Sequence, residues 1–385
     1  MNKDSKIFIA GHNGLVGSAI KRRLEKDGFT NIITRSHKDV DLTNQAQTMD
    51  FFQSEKPEFV FLSAAKVGGI MANQTYPADF IYDNLMISTN VINASYKTNV
   101  KKLMNLGSSC IYPRLAPQPM KESCLLTSAL EQTNEAYALA KISGLKYCEY
   151  LNRQYGTNYI SVMPTNQYGI GDNFNMETAH LLPMIMRRSH LAKLLQIQDF
   201  DAIRDDLHRY KLGWNLDKKI DFKDEKSIES ALNAVGAYRD KAVLWGDGSV
   251  YREMMCSDDL ADACVYLMKN KNYSDIGELV NITNGTDIQL KDLFENTTYL
   301  FEQINEIINY SNEKAVKRSE NFYDKIIKDL NEINQKILNF NIFKFENSDI
   351  IEKNEISDSK SNNLFLSDYD LNNNNSKDKD FYGPN

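Results

Sequence analysis

Short runs of β-branched and aromatic residues alternate with longer segments of helical periodicity over the first 165 positions of the chain. The runs typical of strands lie at 6–10, 32–34, 59–63, 102–106 and 160–163. Strands that alternate with helices in this way pair in parallel, and the helices cover both faces of the sheet. The pattern therefore predicts the α/β class, with a doubly wound parallel sheet in residues 1–165.

The hydrophobic pattern is looser after residue 165. Residues 181–195 have helical periodicity, whereas the highly charged block 199–240 mixes helical signals and is interpreted as an insertion. A further helix is predicted from Ser257, because Asp258 and Asp259 are favourable at a helix N-terminus.

The C-terminal part of the chain is predicted to contain two regions of different character. Residues 166–340 are expected to form a smaller substrate-binding lobe with interleaved elements. Residues 347–385 are rich in Asn and poor in apolar side chains. Such a composition cannot build a core, so we expect a disordered tail there.

The overall composition is that of a globular enzyme. At 385 residues and 42% hydrophobic content the chain can bury a large core, and its net charge of -7 argues against a general nucleic-acid partner. The five cysteines form no C-x-x-C pair, which fits a reducing cytosol. A strand pattern begins at residue 6 and no apolar run approaches ~20 residues, so we expect a cytoplasmic protein without a membrane segment.

Three glycines follow the first predicted strand at a spacing of three. A glycine pattern alone is weak evidence, but directly after the first strand of an alternating chain it favours dinucleotide binding over a structural turn. Glycine lets the backbone turn tightly and approach a pyrophosphate at the helix N-terminus. The predicted cofactor contacts of this turn are Gly11, Asn13, Gly14, Leu15, Val16 and Gly17.

The end of the second predicted strand favours NADP(H) as the cofactor. NAD-preferring sites offer a carboxylate to the ribose about 20 residues after the glycines, but here Arg35 is found instead. A guanidinium suits the extra phosphate of NADP, and the alternative is a solvated surface arginine. Asp41 and Leu42 are predicted near the adenine, and Ala64 beside the cofactor backbone.

Tyr137 and Lys141 are four residues apart in a helical pattern, so they share one face. An ammonium group beside a phenol favours phenolate and is expected to lower the pKa of Tyr137, as in general acid–base catalysis. Ser108 and Cys110 are two apart, so both point the same way if the preceding strand continues. Ser108 would donate to a carbonyl and Cys110 could move a proton, although a cysteine is more often a small buried hydrophobe.

Six motifs in the first 190 residues together resemble one family. They lie at 11–17, 64–70, 76–82, 107–113, 134–137 and 163–169. On these residues the chain resembles the extended short-chain dehydrogenase/reductases, which have a Rossmann-type fold, and within them the GDP-L-fucose synthase subfamily. The resemblance resumes at 244–248, 252–253 and 258–259.

The resemblance implies a role for each matching residue. Ser108, Tyr137 and Lys141 would reduce a ketone, and Cys110 with His180 would epimerise the sugar. The implied cofactor contacts include Lys141, Pro164, Asn166 and His180, and the implied substrate contacts are Ser109, Asn166, Arg188, Trp245 and Arg252. On sequence alone His180 would be a capping or surface residue, and Trp245 would equally well be a core residue.

The implied chemistry agrees with the residue types. A sugar ketone at C4 makes the hydrogens at C3 and C5 acidic, and Ser108 and Tyr137 would stabilise the enolate oxygen. Cys110 as thiolate and His180 as imidazolium would exchange protons at those carbons. Hydride from NADPH would then attack C4 while Tyr137 supplies the proton. Cys110 also separates the chain from the related nucleotide-sugar dehydratases.

The expected function is NADPH-dependent reduction of a GDP-4-keto-6-deoxy sugar at C4, with prior epimerisation at C3 and C5, for surface polysaccharide supply. One alternative is C4 reduction of a GDP-4-keto-6-deoxy-heptose or another GDP-sugar without net epimerisation. An alternative of another class is a catalytically silent NADP-binding scaffold or sensor, which the intact Ser108, Tyr137 and Lys141 disfavour. The resemblance also implies a homodimer, and no metal site is expected.

Two departures from the subfamily pattern concern the substrate. The block 199–240 is longer than the corresponding connection in the family, and the basic loop that helps to hold the nucleotide sugar is not found after residues 284–286. Both departures bear on the identity of the sugar and leave the catalytic residues unchanged.

Overall fold

Parallel strands form the centre of the structure, a computed structural model that describes residues 1–243 and 246–295. The strands are β1 (Ile7–Ala10), β2 (Ile32–Ile33), β3 (Phe59–Leu62), β4 (Lys102–Leu106), β5 (Tyr159–Pro164), β6 (Asn166–Tyr168), β7 (Tyr251–Arg252), β8 (Met254–Cys256), β9 (Val280–Ile282) and β10 (Ile288–Gln289). Six of them form a parallel sheet in the order β2-β1-β3-β4-β5-β9. The strand order reverses between β1 and β3, and ligands of such sheets bind beside that point at the carboxyl ends of the strands.

Helices cover both faces of this sheet. They are α1 (Leu15–Lys26), α2 (Gln45–Glu55), α3 (Ile70–Thr75), α4 (Pro77–Lys97), α5 (Glu135–Tyr155), α6 (Leu181–Gln196), α7 (Phe200–Arg209), α8 (Glu225–Ala234), α9 (Ser257–Asn270) and α10 (Tyr273–Ile276). Residues of α1 and α9 share a buried cluster on one face, and residues of α2, α4 and α5 share another on the opposite face.

The alternation of side chains along β1 explains why both faces need helices. Ile7 and Ile9 are buried against α1 and α9, whereas Phe8 and Ala10 are buried in the cluster of α2, α4 and α5. Successive side chains of a strand point to opposite faces, so a strand that is apolar throughout must be covered twice. The predicted doubly wound parallel sheet is confirmed.

Some predictions concern residues whose structure is not described. Trp245 and the tail 347–385 lie outside the described residues, as does the part of the predicted lobe after residue 295. Among the described residues, the helices are too short or too polar to cross a lipid bilayer.

The block 199–240 contains α7 and α8, which pack on α6. Leu195 of α6, Ile203 of α7 and Ile228 of α8 are fully buried in one hydrophobic cluster. The mixed helical signals of the block therefore correspond to two helices with a core of their own, joined to the helix that follows His180.

Arg187 ties this block to α6. Its side chain is completely buried and forms an ion pair with Asp206 of α7 at 2.9 Å. The same guanidinium donates hydrogen bonds to the carbonyls of Phe174, Tyr210 and Lys211 at 2.6 to 2.8 Å. A buried guanidinium requires such partners, because its desolvation would otherwise be very costly.

Replacing Arg187 by methionine leaves Asp206 buried without its partner and three carbonyls without their donor. We expect the Arg187→Met substitution to lower the free energy of unfolding by about 3 to 5 kcal/mol. The measurement is urea denaturation of the purified protein. Arg239→Met is the matched control, because it removes an exposed ion pair with Glu229 and should change stability far less. Equal losses in the two variants would contradict a clamping role for Arg187.

Candidate active site

The turn between β1 and α1 brings the glycine motif against the end of β3. Gly11 has a φ of +87°, and a Cβ atom there would lie 2.6 Å from the backbone nitrogen of Ala64. A Cβ on Gly17 would lie 2.1 Å from the Gly11 carbonyl oxygen, so both positions require glycine. Gly14, which precedes α1, has no side chain that could accept a hydrogen bond from the first N–H groups of the helix. These groups suit an anion such as a pyrophosphate.

Leu15 and Val16 form the first positions of α1, directly after Asn13 and Gly14. The structure thus gathers the predicted contacts of the glycine turn, together with Ala64, at the point where the strand order reverses. This location is the one at which dinucleotides bind in doubly wound sheets.

Arg35 lies just beyond β2 with its guanidinium exposed. One nitrogen pairs with Glu55 at 2.5 Å, another donates to the carbonyl of Thr34, and the group lies 5.7 Å from the centre of the Phe51 ring. These contacts hold the positive charge at the edge of the sheet.

The segment predicted near the adenine forms a turn. Asp41 accepts hydrogen bonds from the backbone and the hydroxyl of Thr43, and these bonds lower the pKa of its carboxyl group. The carbonyl of Leu42 accepts a bond from Asn90 of α4 at 3.0 Å. The side chain of Asp41 is thus engaged in organising its own turn.

Four of the predicted catalytic residues, Ser108, Cys110, Tyr137 and Lys141, lie near the carboxyl end of β4. The strand stops at Leu106 and a 3-10 turn follows at Ser109–Ile111, so the strand does not continue through Ser108 and Cys110. The turn brings the two together in another way, since Ser108 Oγ accepts a hydrogen bond from the Cys110 N–H at 3.5 Å. Ser109 lies between them at the start of the turn.

Tyr137 and Lys141 lie one turn apart on α5, as predicted. The ammonium of Lys141 is 5.6 Å from the centre of the Tyr137 ring and donates to the Leu106 carbonyl at 2.8 Å. Phe80 of α4 packs edge-on against the Tyr137 ring, with 6.5 Å between the ring centres. The tyrosine is therefore held between α4 and the lysine that reaches the end of β4.

Burial controls the protonation of this pair. Desolvation raises the pKa of Tyr137, and the neighbouring Cys110 raises it further. Desolvation also lowers the pKa of Lys141 to about 8. The predicted lowering of the tyrosine pKa is thus not found, because loss of hydration disfavours the phenolate. Tyr137 is a protonated phenol at neutral pH, which is the form a proton donor needs.

Burial has the same effect on the predicted epimerisation pair. It raises the pKa of the Cys110 thiol, against the opposing influence of Ser108 and Lys141. The residues packed around His180, which precedes α6 and keeps part of its surface open to solvent, desolvate the ring and lower its pKa. At neutral pH the resting forms are a thiol and a neutral imidazole, the reverse of the predicted thiolate and imidazolium, because a charged form is poorly solvated here.

The segment before His180 is held by a glycine turn. The N–H of Gly69 donates to the carbonyl of Thr178 at 3.3 Å, and a Cβ on Gly69 would lie 2.8 Å from the carbonyl oxygen of Ala179. The buried Asn73 donates to the Gly69 carbonyl at 3.1 Å. The segment that follows β3 and contains Ala64 thus continues to Gly69, which contacts the backbone just before His180.

Three supporting residues are not among the predicted site residues: Gly69, Asn73 and Phe80. Gly69 and Phe80 belong to the motifs at 64–70 and 76–82, so the motifs could have identified them as site residues. The motifs could not have predicted which residues Gly69 and Phe80 contact. Asn73 lies outside the quoted motifs, and only the folded turn reveals its contact.

The predicted substrate contacts occupy two places. Asn166, two residues after the end of β5 at Pro164, donates to the Glu253 carbonyl at 3.0 Å, which brings it next to the exposed Arg252 of β7. Arg188 of α6 is 1% exposed and donates to the carbonyl of Val243 at 2.5 Å. Its burial lowers its pKa to about 10.

The described residues contain neither a candidate metal site nor a disulfide bond. In the described part of the chain, no three His, Cys, Asp or Glu side chains form a group that could hold a metal ion. All five cysteines, which lie in that part, are free thiols.

Known proteins share this sequence pattern over most of its length. The model of the NAD dependent epimerase/dehydratase family matches residues 7–209 and 218–283. The chain is 48% identical over 294 residues to GDP-L-fucose synthase 1 of Arabidopsis thaliana, a match covering 76% of this chain and 77% of that protein. Against GDP-L-fucose synthase of Escherichia coli the identity is 42% over 294 residues, covering 75% and 78%.

A solved structure is similar as well. MlghC, a GDP-mannoheptose C4 reductase of Campylobacter jejuni with NADP bound, is 38% identical, with a TM-score of 0.68 and coverage of 78% of this chain and 87% of that one. Family model, relatives and fold agree with the resemblance to the extended short-chain dehydrogenase/reductases. The chain belongs to the NAD dependent epimerase/dehydratase family.

Proposed function

We propose that the protein epimerises a GDP-4-keto-6-deoxy sugar at C3 and C5 and then reduces its C4 ketone with NADPH, which is the GDP-L-fucose synthase reaction. The observation that carries the proposal is the group of side chains at the end of β4. There Lys141 donates a hydrogen bond to the last carbonyl of the strand, and the Ser108 hydroxyl accepts one from the Cys110 N–H directly after it. The 42 to 48% identity to GDP-L-fucose synthases supports the same reaction.

The cofactor proposal rests on the β1–α1 turn and on Arg35. The first turn of α1, which has no side-chain cap, suits a pyrophosphate, and the exposed guanidinium of Arg35 suits the additional phosphate of NADP. Lys141 and the residues around Asn166 would hold the nicotinamide half. Bound NADPH supplies the hydride.

In the reduction, the protein supplies a proton and stabilises charge. As hydride adds to C4, the electrons of the C4–O π bond move to oxygen. The hydroxyl of Ser108 donates a hydrogen bond to that oxygen, and the protonated phenol of Tyr137 transfers its proton to it. The ammonium of Lys141, fixed by the Leu106 carbonyl, stabilises the resulting phenolate.

In the epimerisation, the neutral forms of Cys110 and His180 are already an acid and a base. The imidazole removes a proton from the carbon beside the ketone, the electrons move to O4, and the thiol returns a proton to the opposite face. The resulting imidazolium gives its proton to water and the thiolate takes one from water, which restores the pair for the second carbon. Ser108 and Tyr137 donate hydrogen bonds to the enolate oxygen in this step. The same oxygen site thus serves both reactions.

A related substrate is supported by one specific observation. The GDP-mannoheptose C4 reductase of Campylobacter jejuni is 38% identical and has the same fold over 78% of this chain. C4 reduction of a GDP-heptose without net epimerisation is therefore the second candidate. The two candidates differ in the sugar and in proton exchange at C3 and C5.

The proposal is tested by incubating the protein with NADPH and GDP-4-keto-6-deoxy-mannose in deuterated water and examining the product by NMR. Deuterium at C3 and C5 with an inverted ring is the expected result. A C4-reduced sugar without enzymatic deuterium incorporation would contradict epimerisation. Turnover of the heptose analogue alone would support the second candidate.

Cys110→Ser should abolish inversion at C3 and C5 and retain C4 reduction, because a hydroxyl is a much poorer proton donor than a thiol. The readouts are NMR of the product and NADPH consumption. Cys124→Ser is the matched control, since Cys124 is another half-buried free cysteine and has no role in the proposed reaction. Full epimerisation by Cys110→Ser would remove Cys110 from the mechanism.

Tyr137→Phe should reduce the rate of C4 reduction by at least ~100-fold, the usual contribution of a general acid. The phenyl ring keeps its packing against Phe80, so the fold and NADPH binding should persist. Single-turnover NADPH oxidation measures the rate, and cofactor fluorescence measures binding. A loss below tenfold would assign the proton to another donor.

The lowered pKa of Lys141 predicts a pH dependence. A lysine with a pKa of about 8 is an ammonium below that pH and loses its charge above it. The rate of C4 reduction should therefore fall as pH rises through about 8, without a matching loss of folded protein. The measurement is the profile of kcat/KM against pH, and circular dichroism at each pH measures the amount of folded protein. A rate that stays level to pH 10 would contradict a requirement for the charged lysine.

A further inference from the structure

Asn281 of the edge strand β9 is the centre of a hydrogen-bond network beside the catalytic turn. Its side-chain oxygen accepts from the hydroxyl of Tyr112 at 2.5 Å, and its side-chain nitrogen donates to the carbonyl of Met120 at 3.1 Å. Its backbone N–H donates to the carboxylate of Glu122 at 2.9 Å. One residue thus binds three points of the segment that follows β4.

Tyr112 links this network to Cys110. It directly follows the 3-10 turn that contains Cys110, and its N–H donates to the carbonyl of Ser109 at 3.3 Å. The ring is 4% exposed and packs in a buried cluster with Ile111 and Leu279. Burial also raises the pKa of Tyr112, so its hydroxyl stays protonated and continues to donate to Asn281.

Two members of the reduction centre, Tyr137 and Lys141, have supports outside this network, whereas Ser108 caps the same turn that carries Cys110. Lys141 is fixed by the Leu106 carbonyl, and Tyr137 packs against Phe80 of α4. Neither contact passes through Tyr112 or Asn281. Loss of the Tyr112–Asn281 bond therefore acts first on the turn that carries Cys110.

We propose that Tyr112 and Asn281 are positioning residues that hold Cys110 at the sugar, so that they govern epimerisation separately from reduction. The inference rests on the proposed function. A thiol must lie within hydrogen-bond distance of the carbon to which it gives a proton, and displacements of about 1 Å can reduce such rates by up to ~100-fold. Hydride transfer does not depend on the thiol.

The test variant is Tyr112→Phe, which removes the hydroxyl and keeps the buried ring. With GDP-4-keto-6-deoxy-mannose and NADPH in deuterated water, we expect the ratio of product inverted and deuterated at C3 and C5 to total reduced sugar to fall by about tenfold, a fraction of the loss that misplacement can cause. NADPH consumption should stay within about twofold of wild type. Asn281→Ala is the second variant and should shift the ratio in the same direction, because it removes both side-chain bonds of the network.

Tyr147→Phe is the matched control. Tyr147 donates to the side chain of Asn93 at 3.2 Å, a bond of the same type between α4 and α5. This variant should leave the ratio unchanged. A blank without protein accounts for spontaneous exchange beside the ketone.

The outcomes separate the inference from the function on which it rests. No deuterium incorporation above the blank by the wild-type protein would overturn the proposed epimerisation and the inference with it. Incorporation by the wild type with an unchanged ratio in both Tyr112→Phe and Asn281→Ala would overturn the inference alone. A parallel fall of exchange and reduction would also overturn it, since that pattern indicates a general structural role.

Discussion

The hydrogen bond from Lys141 to the carbonyl of Leu106 is the contact on which the site depends. It joins α5 to the last residue of β4 at 2.8 Å, and so fixes the distance between Tyr137 on the helix and Ser108 after the strand. The proposed catalytic groups come from a helix and from a turn that are distant in sequence, and the ammonium group of Lys141 joins the helix to the strand end, 35 residues away. Because the lysine is desolvated, this bond is made in surroundings of low polarity, where electrostatic interactions are strong.

The same low polarity gives the site its chemical character. Burial disfavours every charged form, so the thiol of Cys110, the imidazole of His180 and the phenol of Tyr137 are neutral, and the pKa of Lys141 lies near 8. Neutral acids and bases can exchange protons with a weakly acidic sugar carbon without first losing a shell of water. One oxygen-binding site can then stabilise an enolate and an alkoxide in turn, because both place negative charge on O4.

The residues that support Cys110 and His180 come from different parts of the fold. The glycine turn at Gly69 approaches the backbone before His180, whereas Asn281 reaches the turn of Cys110 from the edge of the sheet. The two partners of the proposed epimerisation pair are thus held independently of each other and of Tyr137.

Spacing along the chain was enough to predict the alternating strands and helices, the glycine turn, and the placement of Tyr137 and Lys141 on one helical face, because each depends on residues close in sequence. How Ser108 meets Cys110 depends on the folded chain, since β4 ends before them and a 3-10 turn replaces the expected strand. The tertiary structure also reversed the expected pKa shift of Tyr137, since a sequence reveals a nearby lysine but not the loss of hydration around a phenol. The contacts of Asn281 and Gly69 could not be predicted either, because they join segments that are distant in sequence and a local sequence pattern does not indicate such contacts.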